Sequence, residues 1–412
     1  MLAPPDAAIA ARDPTVPGLG TVLDPEAVAH LLGGLFATPL RVVPSYVRYK
    51  PGSSCLVGFR VEGAGEESAV YAKAFGRGQE AKLAKLASSP QTAAFEGELV
   101  GLSVFPNDRL MPVLGRLSDP KFIEGLLARI WPEGSGLGPS HLEMLRWKPE
   151  RRYVARVDAH DHPVGVLKAY CPDDYLRSAK VAKVSADSNG LFRTPERFGA
   201  SDRHRVVLRE WLPGQPLGPT APTDEMEAVG AVMAGLHRRS KKHLRRRRRR
   251  EIAAEVRAAG EYLGLLLPEI ASEAGTRAAR LARRIRQMEK RKVPIHGDFS
   301  VDQLVLGAFG VGVLDLDNAA LGDPAADAGW FIADLELGVL QGTVSSDEVE
   351  KARSALIAGY RAAGGEDLGD RLSLYVSASL LQRAPEPFRH RWDNWPESIA
   401  ALIRRAGEVS PL

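Results

Sequence analysis

Two stretches of this 412-residue chain are built to one plan. VRYKPGSSCLVGFRVEGAGEESAVYAKAF (47–75) and LRWKPERRYVARVDAHDHPVGVLKAY (145–170) both open on an aromatic-Lys-Pro and a short polar loop. Each then continues through an alternating run, a turn and a strand closing on Lys-Ala-aromatic. The 98-residue offset between Lys50 and Lys148 marks a duplication. Alternation of β-branched and aromatic with polar residues predicts three antiparallel strands in each copy, joined by hairpin turns. The two copies end on Lys73 and Lys168.

After each lysine comes a helical stretch, GQEAKLAKLAS and DDYLRSAKVAKVSAD, and then a return strand, clearest in HRVVLREWLPGQPL (204–217). Beyond it the periodicity turns helical. Met226, Val229, Met233 and Leu236 recur at three- and four-residue steps, with Thr223 as the expected N-cap. Long helices also suit 251–290, 346–364 and two C-terminal stretches. The chain therefore divides into a Pro/Ala/Gly-rich flexible leader (1–22), a first repeat (23–138), a second repeat with its return strand (139–212) and a helical region (213–412). The fold class is α+β.

Charged residues at 26% and hydrophobic ones at 44% are the balance of a soluble globular protein. No stretch is apolar for long enough to span a membrane, and the start lacks the basic and apolar regions of a signal peptide, so a cytoplasmic protein is expected. The two cysteines, Cys55 and Cys171, offer no metal-site spacing.

The chemistry is concentrated in PIHGDFSVDQLVLGAFGVGVLDLDNAALGDP (294–324). DQLVL and VGVLDLD read as two short strands of a hairpin centred between Ala308 and Phe309, which sets Asp315 near Asp302 and Gln303, with Asp298 on the loop before. Clustered, partly buried carboxylates repel one another and persist mostly where a cation neutralises them. Oxygen donors without histidine favour a hard ion such as Mg²⁺, which keeps waters and substrate phosphates in its shell. That combination points to phosphoryl transfer. Taken singly, Asp302, Asp317 and Asp323 read as turn formers or caps, Asp323 above all because Pro324 follows it.

The pair HGDFSVDQLVL and VGVLDLDNAALGDPAADAGWFIADL resembles the signature of the aminoglycoside phosphotransferase and choline kinase-like family, small-molecule kinases with the bilobal protein-kinase-like fold. The resemblance covers about residues 140–400. It implies Asp298 as catalytic base, His296 as the residue shaping its loop, Asp315 as a metal ligand and Asp327 as a structural aspartate. The family's metal-binding asparagine is replaced by Gln303, which keeps the amide oxygen. It further implies that Lys168 orients the α and β phosphates of ATP, that backbone around Glu210–Leu212 meets adenine, and that Arg151 or Arg152 in the loop KPERR contacts phosphate. The usual helix glutamate is missing after Lys168; Asp173 or Asp174 is its expected substitute. The first copy, where Glu80 follows Lys73, reads as a degenerate nucleotide lobe.

RRSKKHLRRRRRR (238–250) holds ten basic residues and leaves the rest of the chain net acidic. Without interleaved aromatics or a binding module it reads as a solvated face, not a nucleic-acid site. Trp392 and Trp395 are residues able to stack on a sugar ring, though packing is the simpler role. The expected function is an ATP- and Mg²⁺-dependent kinase that moves the γ-phosphate to a hydroxyl of a small molecule: a sugar, an amino alcohol or an aminoglycoside-like compound. The alternative is a pseudokinase scaffold that binds nucleotide or a partner without turnover. The sequence is silent on oligomeric state.

Overall fold

The computed structural model describes residues 2–33, 41–63, 68–89, 91–132, 140–181, 191–242, 244 and 249–410. It forms two compact units, one of Met1–Tyr175, Phe198–Leu208 and Glu386–Pro396, the other of Leu176–Arg197, Arg209–Pro385 and Glu397–Leu412.

The first unit opens with α1 (Pro4–Arg12), α2 (Leu19–Leu23) and α3 (Pro25–Leu32). The stretch 1–22, expected as a loose leader, thus holds the helix Pro4–Arg12 and most of the helix Leu19–Leu23. Prolines at the first turn of α1 and α3 start helices because that turn needs no N–H from them. Ile9, Leu19 and Val22 are fully buried, and Asp6 forms an ion pair with Arg391.

Two five-stranded antiparallel sheets follow, where the repeat predicts three strands plus a return. The first runs β1 (Arg41–Lys50), β2 (Ser54–Glu62), β3 (Ser68–Phe75), α4 (Glu80–Ala87), β4 (Thr92–Phe95) and β5 (Val100–Val104) in chain order. Helix α5 (Pro120–Ile130) leads to the second: β6 (Ser140–Lys148), β7 (Arg152–Ala159), β8 (His162–Tyr170), α6 (Pro172–Val181), β9 (Arg197–Ser201) and β10 (Val206–Glu210). The spatial orders are β1-β2-β3-β5-β4 and β6-β7-β8-β10-β9, the same arrangement twice. Each first hairpin closes at the lysine of its Lys-Pro, Lys50 against Ser54 and Lys148 against Arg152. The apolar face of α5 (Phe122, Ile123, Leu126, Leu127, Ile130) packs in one cluster with Tyr153, Ala155, Val157 and Leu167 of the second sheet. Each such side chain contributes roughly 1.5–3 kcal/mol by leaving water. Trp395, considered above as a sugar platform, is 3% exposed and meets the Phe388 ring edge-on, so it is core.

The second unit is mainly helical. After the two-residue strand β11 (Gln215–Pro216) comes α7 (Thr223–His237), which buries Met226, Val229, Met233 and Leu236 as their spacing predicts. Pro222, not Thr223, occupies the cap position, and no side-chain cap bond forms. The stretch 251–290, expected to be helical, holds α8 (Arg249–Leu266) and α9 (Ala271–Gln287), divided where Pro268 lacks the N–H to continue a helix. Strands β12 (Val293–Ile295), β13 (Leu304–Gly307), β14 (Gly310–Val313) and β15 (Ala320–Gly322) precede α10 (Ala325–Leu340), α11 (Ser346–Ala362), α12 (Gly369–Arg383) and a C-terminal helix, Trp395–Val409. Ser345 and Glu348 form a capping box on α11. Arg245–Arg248 of the basic run lie outside the described residues. Among the described residues no helix is long and apolar enough to cross a membrane, and both cysteines are free and buried.

Candidate active site

The acidic segment forms two nested antiparallel pairs. The inner hairpin joins β13 to β14, with Leu304 opposite Val313 and Gly307 opposite Gly310, so its turn is Ala308-Phe309 as the spacing implies. The outer pair joins β12 to β15, with Ile295 opposite Ala320. Residues 296–303 and 314–319 are thereby held facing one another between two ladders. β11 adds a third strand to the inner hairpin, Gln215 opposite Leu306. Gly214 permits this: a Cβ there would lie 2.4 Å from the Leu306 carbonyl oxygen.

Hydrogen bonds lock the first loop. The His296 ring is fully buried, and its Nε2 lies 2.7 Å from the Leu314 carbonyl oxygen, which can only accept. Nε2 therefore carries the hydrogen, and Nδ1 accepts the Asp298 amide at 3.3 Å. Asp327, at the start of α10 and fully buried, accepts the amides of His296 (2.7 Å) and Gly297 (2.9 Å) and His237 Nε2 (3.1 Å). Burial alone would push its carboxyl up, but the hydrogen bonds from His237 and the Gly297 amide outweigh it and hold the carboxyl below its ordinary value. Tyr360 on α11 bonds the other nitrogen of His237 at 2.9 Å.

Asp298 is half-buried, and its Oδ2 faces Asn318 Nδ2 at 3.5 Å across the two loops. Its neighbour Gly297 sits at φ +80°, and a Cβ there would lie 2.5 Å from the Asn318 carbonyl oxygen. Gly297→Ala is expected to cost roughly 2 kcal/mol or more through strain and crowding, read as a lowered denaturant midpoint. The turn Val301–Gln303 is held from α10, where Asp334 accepts the Val301 amide at 3.0 Å and pairs with Arg383 of α12, also at 3.0 Å. Burial, opposed by Arg383, keeps Asp334 above its ordinary carboxyl value.

Gln303 and Asp315 stand at the open end of the inner hairpin, where the Leu314 amide donates to the Gln303 carbonyl at 2.8 Å. Asp315 occupies the left-handed region, φ 51° and ψ 59°. A non-glycine residue is held there only when its surroundings demand it, which is common at functional sites. An amide and a carboxylate are the oxygen donors that suit Mg²⁺ with phosphates and water completing its shell. Among the described residues no three His, Cys, Asp or Glu side chains converge on one point, so a metal reading rests on Gln303 and Asp315. Asp317 instead accepts Ser178 Oγ at 3.1 Å. Asp323, expected as the N-cap, stands one residue before it: Pro324 holds the cap position of α10, while Asp323 accepts the Ala325 amide at 3.2 Å and pairs with Arg371.

The nucleotide-side residues fall in both units. Lys168 is buried on β8 opposite Val154, and Arg152 begins β7 opposite Tyr170, so both lie on neighbouring strands of the second sheet. Arg151, the alternative phosphate contact, pairs with Asp174 at 3.3 Å. In the other unit Glu210 accepts Arg193 and the Glu196 amide, while Leu212 is buried with Gly312 of β14 close beside it. Glu80 is exposed and accepts the Gly78 amide at 3.0 Å just ahead of its helix; the carboxylate on Lys73 is Glu150. Lys73 is therefore committed elsewhere.

Sequence reasoning passed over His237, Asn318, Asp334 and Glu150. For Asp334 a signal existed: it lies seven residues after Asp327 on one helix and hence on the same face.

A mainly helical unit that carries the two facing carboxylate loops, and antiparallel sheets that carry a buried lysine, make an α+β fold of the protein-kinase-like kind. The model of the phosphotransferase enzyme family (APH) matches residues 138–375, more than half of the chain, and the chain belongs to that family as a small-molecule phosphotransferase. Choline kinase from Cryptosporidium parvum Iowa II is similar in fold: 11% identity, 71% of this chain and 95% of that one covered, TM-score 0.53. A choline/ethanolamine kinase family protein from Mesorhizobium loti matches at 18% identity over 71% and 94% of the two chains, TM-score 0.49. Macrolide 2'-phosphotransferase from Brachybacterium faecium matches at 20% over 68% and 97%, TM-score 0.45. A search of curated proteins finds no match.

Proposed function

We propose that the protein moves the γ-phosphate of ATP, with Mg²⁺, to a hydroxyl of a small molecule such as a sugar or amino alcohol. The observation that supports this best is the placement of Asp298. Its backbone is locked through His296, Gly297 and Asp327, while its carboxylate is left half-open toward Asn318. A carboxylate fixed in this way can accept the proton of an acceptor hydroxyl as that oxygen attacks phosphorus. Gln303 and Asp315 would hold Mg²⁺, which when bound neutralises phosphate charge. Lys168, desolvated on β8, serves as a cation for the α and β phosphates, and Arg152 as a second. The backbone at Glu210–Leu212 receives the adenine.

Thermal unfolding titrated with ATP, with and without Mg²⁺, tests the reading. Stabilisation that requires the metal supports it; no shift with either supports a scaffold. Lys168→Met removes a charged hydrogen bond to phosphate. It is expected to weaken ATP binding by about 1.5–3 kcal/mol, roughly ten- to a hundredfold, in isothermal titration. Acceptor identity follows from ADP release across a panel of hydroxylated metabolites.

A further inference from the structure

Lys73 lies two residues before the end of β3, as Lys168 lies two residues before the end of β8. Its ammonium is buried and bonded to both carboxylate oxygens of Glu150, at 2.8 and 2.6 Å. Glu150 lies in the turn between β6 and β7, within the loop KPERR that precedes the second sheet's own phosphate contacts. It is 3% exposed and held at φ +56°. Arg48 from the first sheet reaches the same carboxylate at 2.9 Å, and Arg109 stands 3.9 Å away. Asp108 grips the turn from the other side. It accepts the Glu150 amide at 2.7 Å and the Trp147 indole at 3.2 Å, and its second oxygen takes the amides of Leu110 and Met111 at 2.9 and 3.1 Å.

Three cations converging on one carboxylate is the local pattern of an anion site, here filled by the chain itself. A buried glutamate in left-handed backbone carries both a desolvation and a conformational cost, and it persists only where its surroundings compensate for both. The same turn is pinned in its backbone: the Arg151 amide donates to the Lys148 carbonyl at 3.0 Å, and the Arg151 carbonyl accepts the Cys171 amide at 2.8 Å.

We propose that the first sheet is a clamp. Lys73 and Arg48 hold Glu150 as an internal substitute for a phosphate group, so that this sheet takes no nucleotide and instead fixes the 149–152 turn over the phosphates bound by the second. Lys73 and Glu150 are thus positioning residues; this part of the inference rests on the reading of Lys168 and Arg152 given above.

The test uses the full chain with Lys73→Met, Lys73→Arg and the double variant Lys73→Met/Glu150→Gln. The double variant removes both members of the most buried pair at once, leaving only the more exposed Arg48 and Arg109 without the carboxylate, and so limits the loss of folding that either single charge removal risks. Lys73→Met is expected to raise KM for ATP about tenfold or more by loosening the turn, with kcat within about twofold of the parent. Hydrogen exchange at the Glu150 and Arg151 amides accelerates, while exchange at the Asp298 loop stays as it was. Lys73→Arg restores most of both readouts. Unchanged exchange at those two amides, a fall in kcat at constant KM, or two ATP molecules bound per parent chain in calorimetry would each overturn the clamp. A parent chain that binds no ATP defeats the functional reading, and the amide exchange then still decides the clamp by itself.

Discussion

Asp298→Asn is expected to lower kcat by about 10²- to 10⁴-fold, the usual contribution of a positioned general base, while ATP binding changes little. Asparagine has the same shape, so the Gly297 turn and the facing Asn318 are undisturbed, but its amide cannot take a proton. The Asp298 amide bond to His296 Nδ1 is backbone and survives the change. Turnover equal to the parent in a coupled ADP assay would place the base elsewhere. A parallel loss of ATP affinity in calorimetry would mean that the carboxylate acts on the nucleotide and not on the acceptor.

Asp327→Ala has the largest expected effect on stability, about 3–5 kcal/mol, because it strands buried partners. Two amides and His237 Nε2 lose their acceptor at once. Urea titration measures this directly, and a midpoint within error of the parent would mean that the network adds nothing. The same residue dictates a pH dependence. Its carboxyl lies below the ordinary value in the folded chain, so the unfolded chain takes up the proton first as pH falls. The stabilisation is fully present above the unfolded value, about 4, and is lost below it as pH falls through the folded value. In Asp327→Asn that acid-side loss is expected to shrink, which a series of thermal melts from neutral pH downward would register.

The helix face of α7 was legible because Met226, Val229, Met233 and Leu236 repeat within a single segment. The inner hairpin was legible for the same kind of reason, with turn residues at Ala308-Phe309 between two short apolar runs. Asp298, Gln303 and Asp315 stood out because an ordered set of oxygen donors within two dozen residues has few purely structural explanations. Pro and Ala suit a loop and a helix start equally well, so composition does not distinguish the two at the N-terminal stretch; burial of Ile9 and Val22 goes with helices α1 and α2 there.

Taken by itself, the sequence determined the alternation of each repeat, the order of the carboxylate motif and the apolar stripe of the helices, since each depends on neighbours within one or two turns or strands. Only the tertiary structure decided that His237 reaches Asp327 across 90 residues, and that Lys73 meets Glu150 and not Glu80. The physical reason is desolvation: a buried charge takes whichever partner the packing brings within about 3 Å, and spacing along the chain carries no record of that choice.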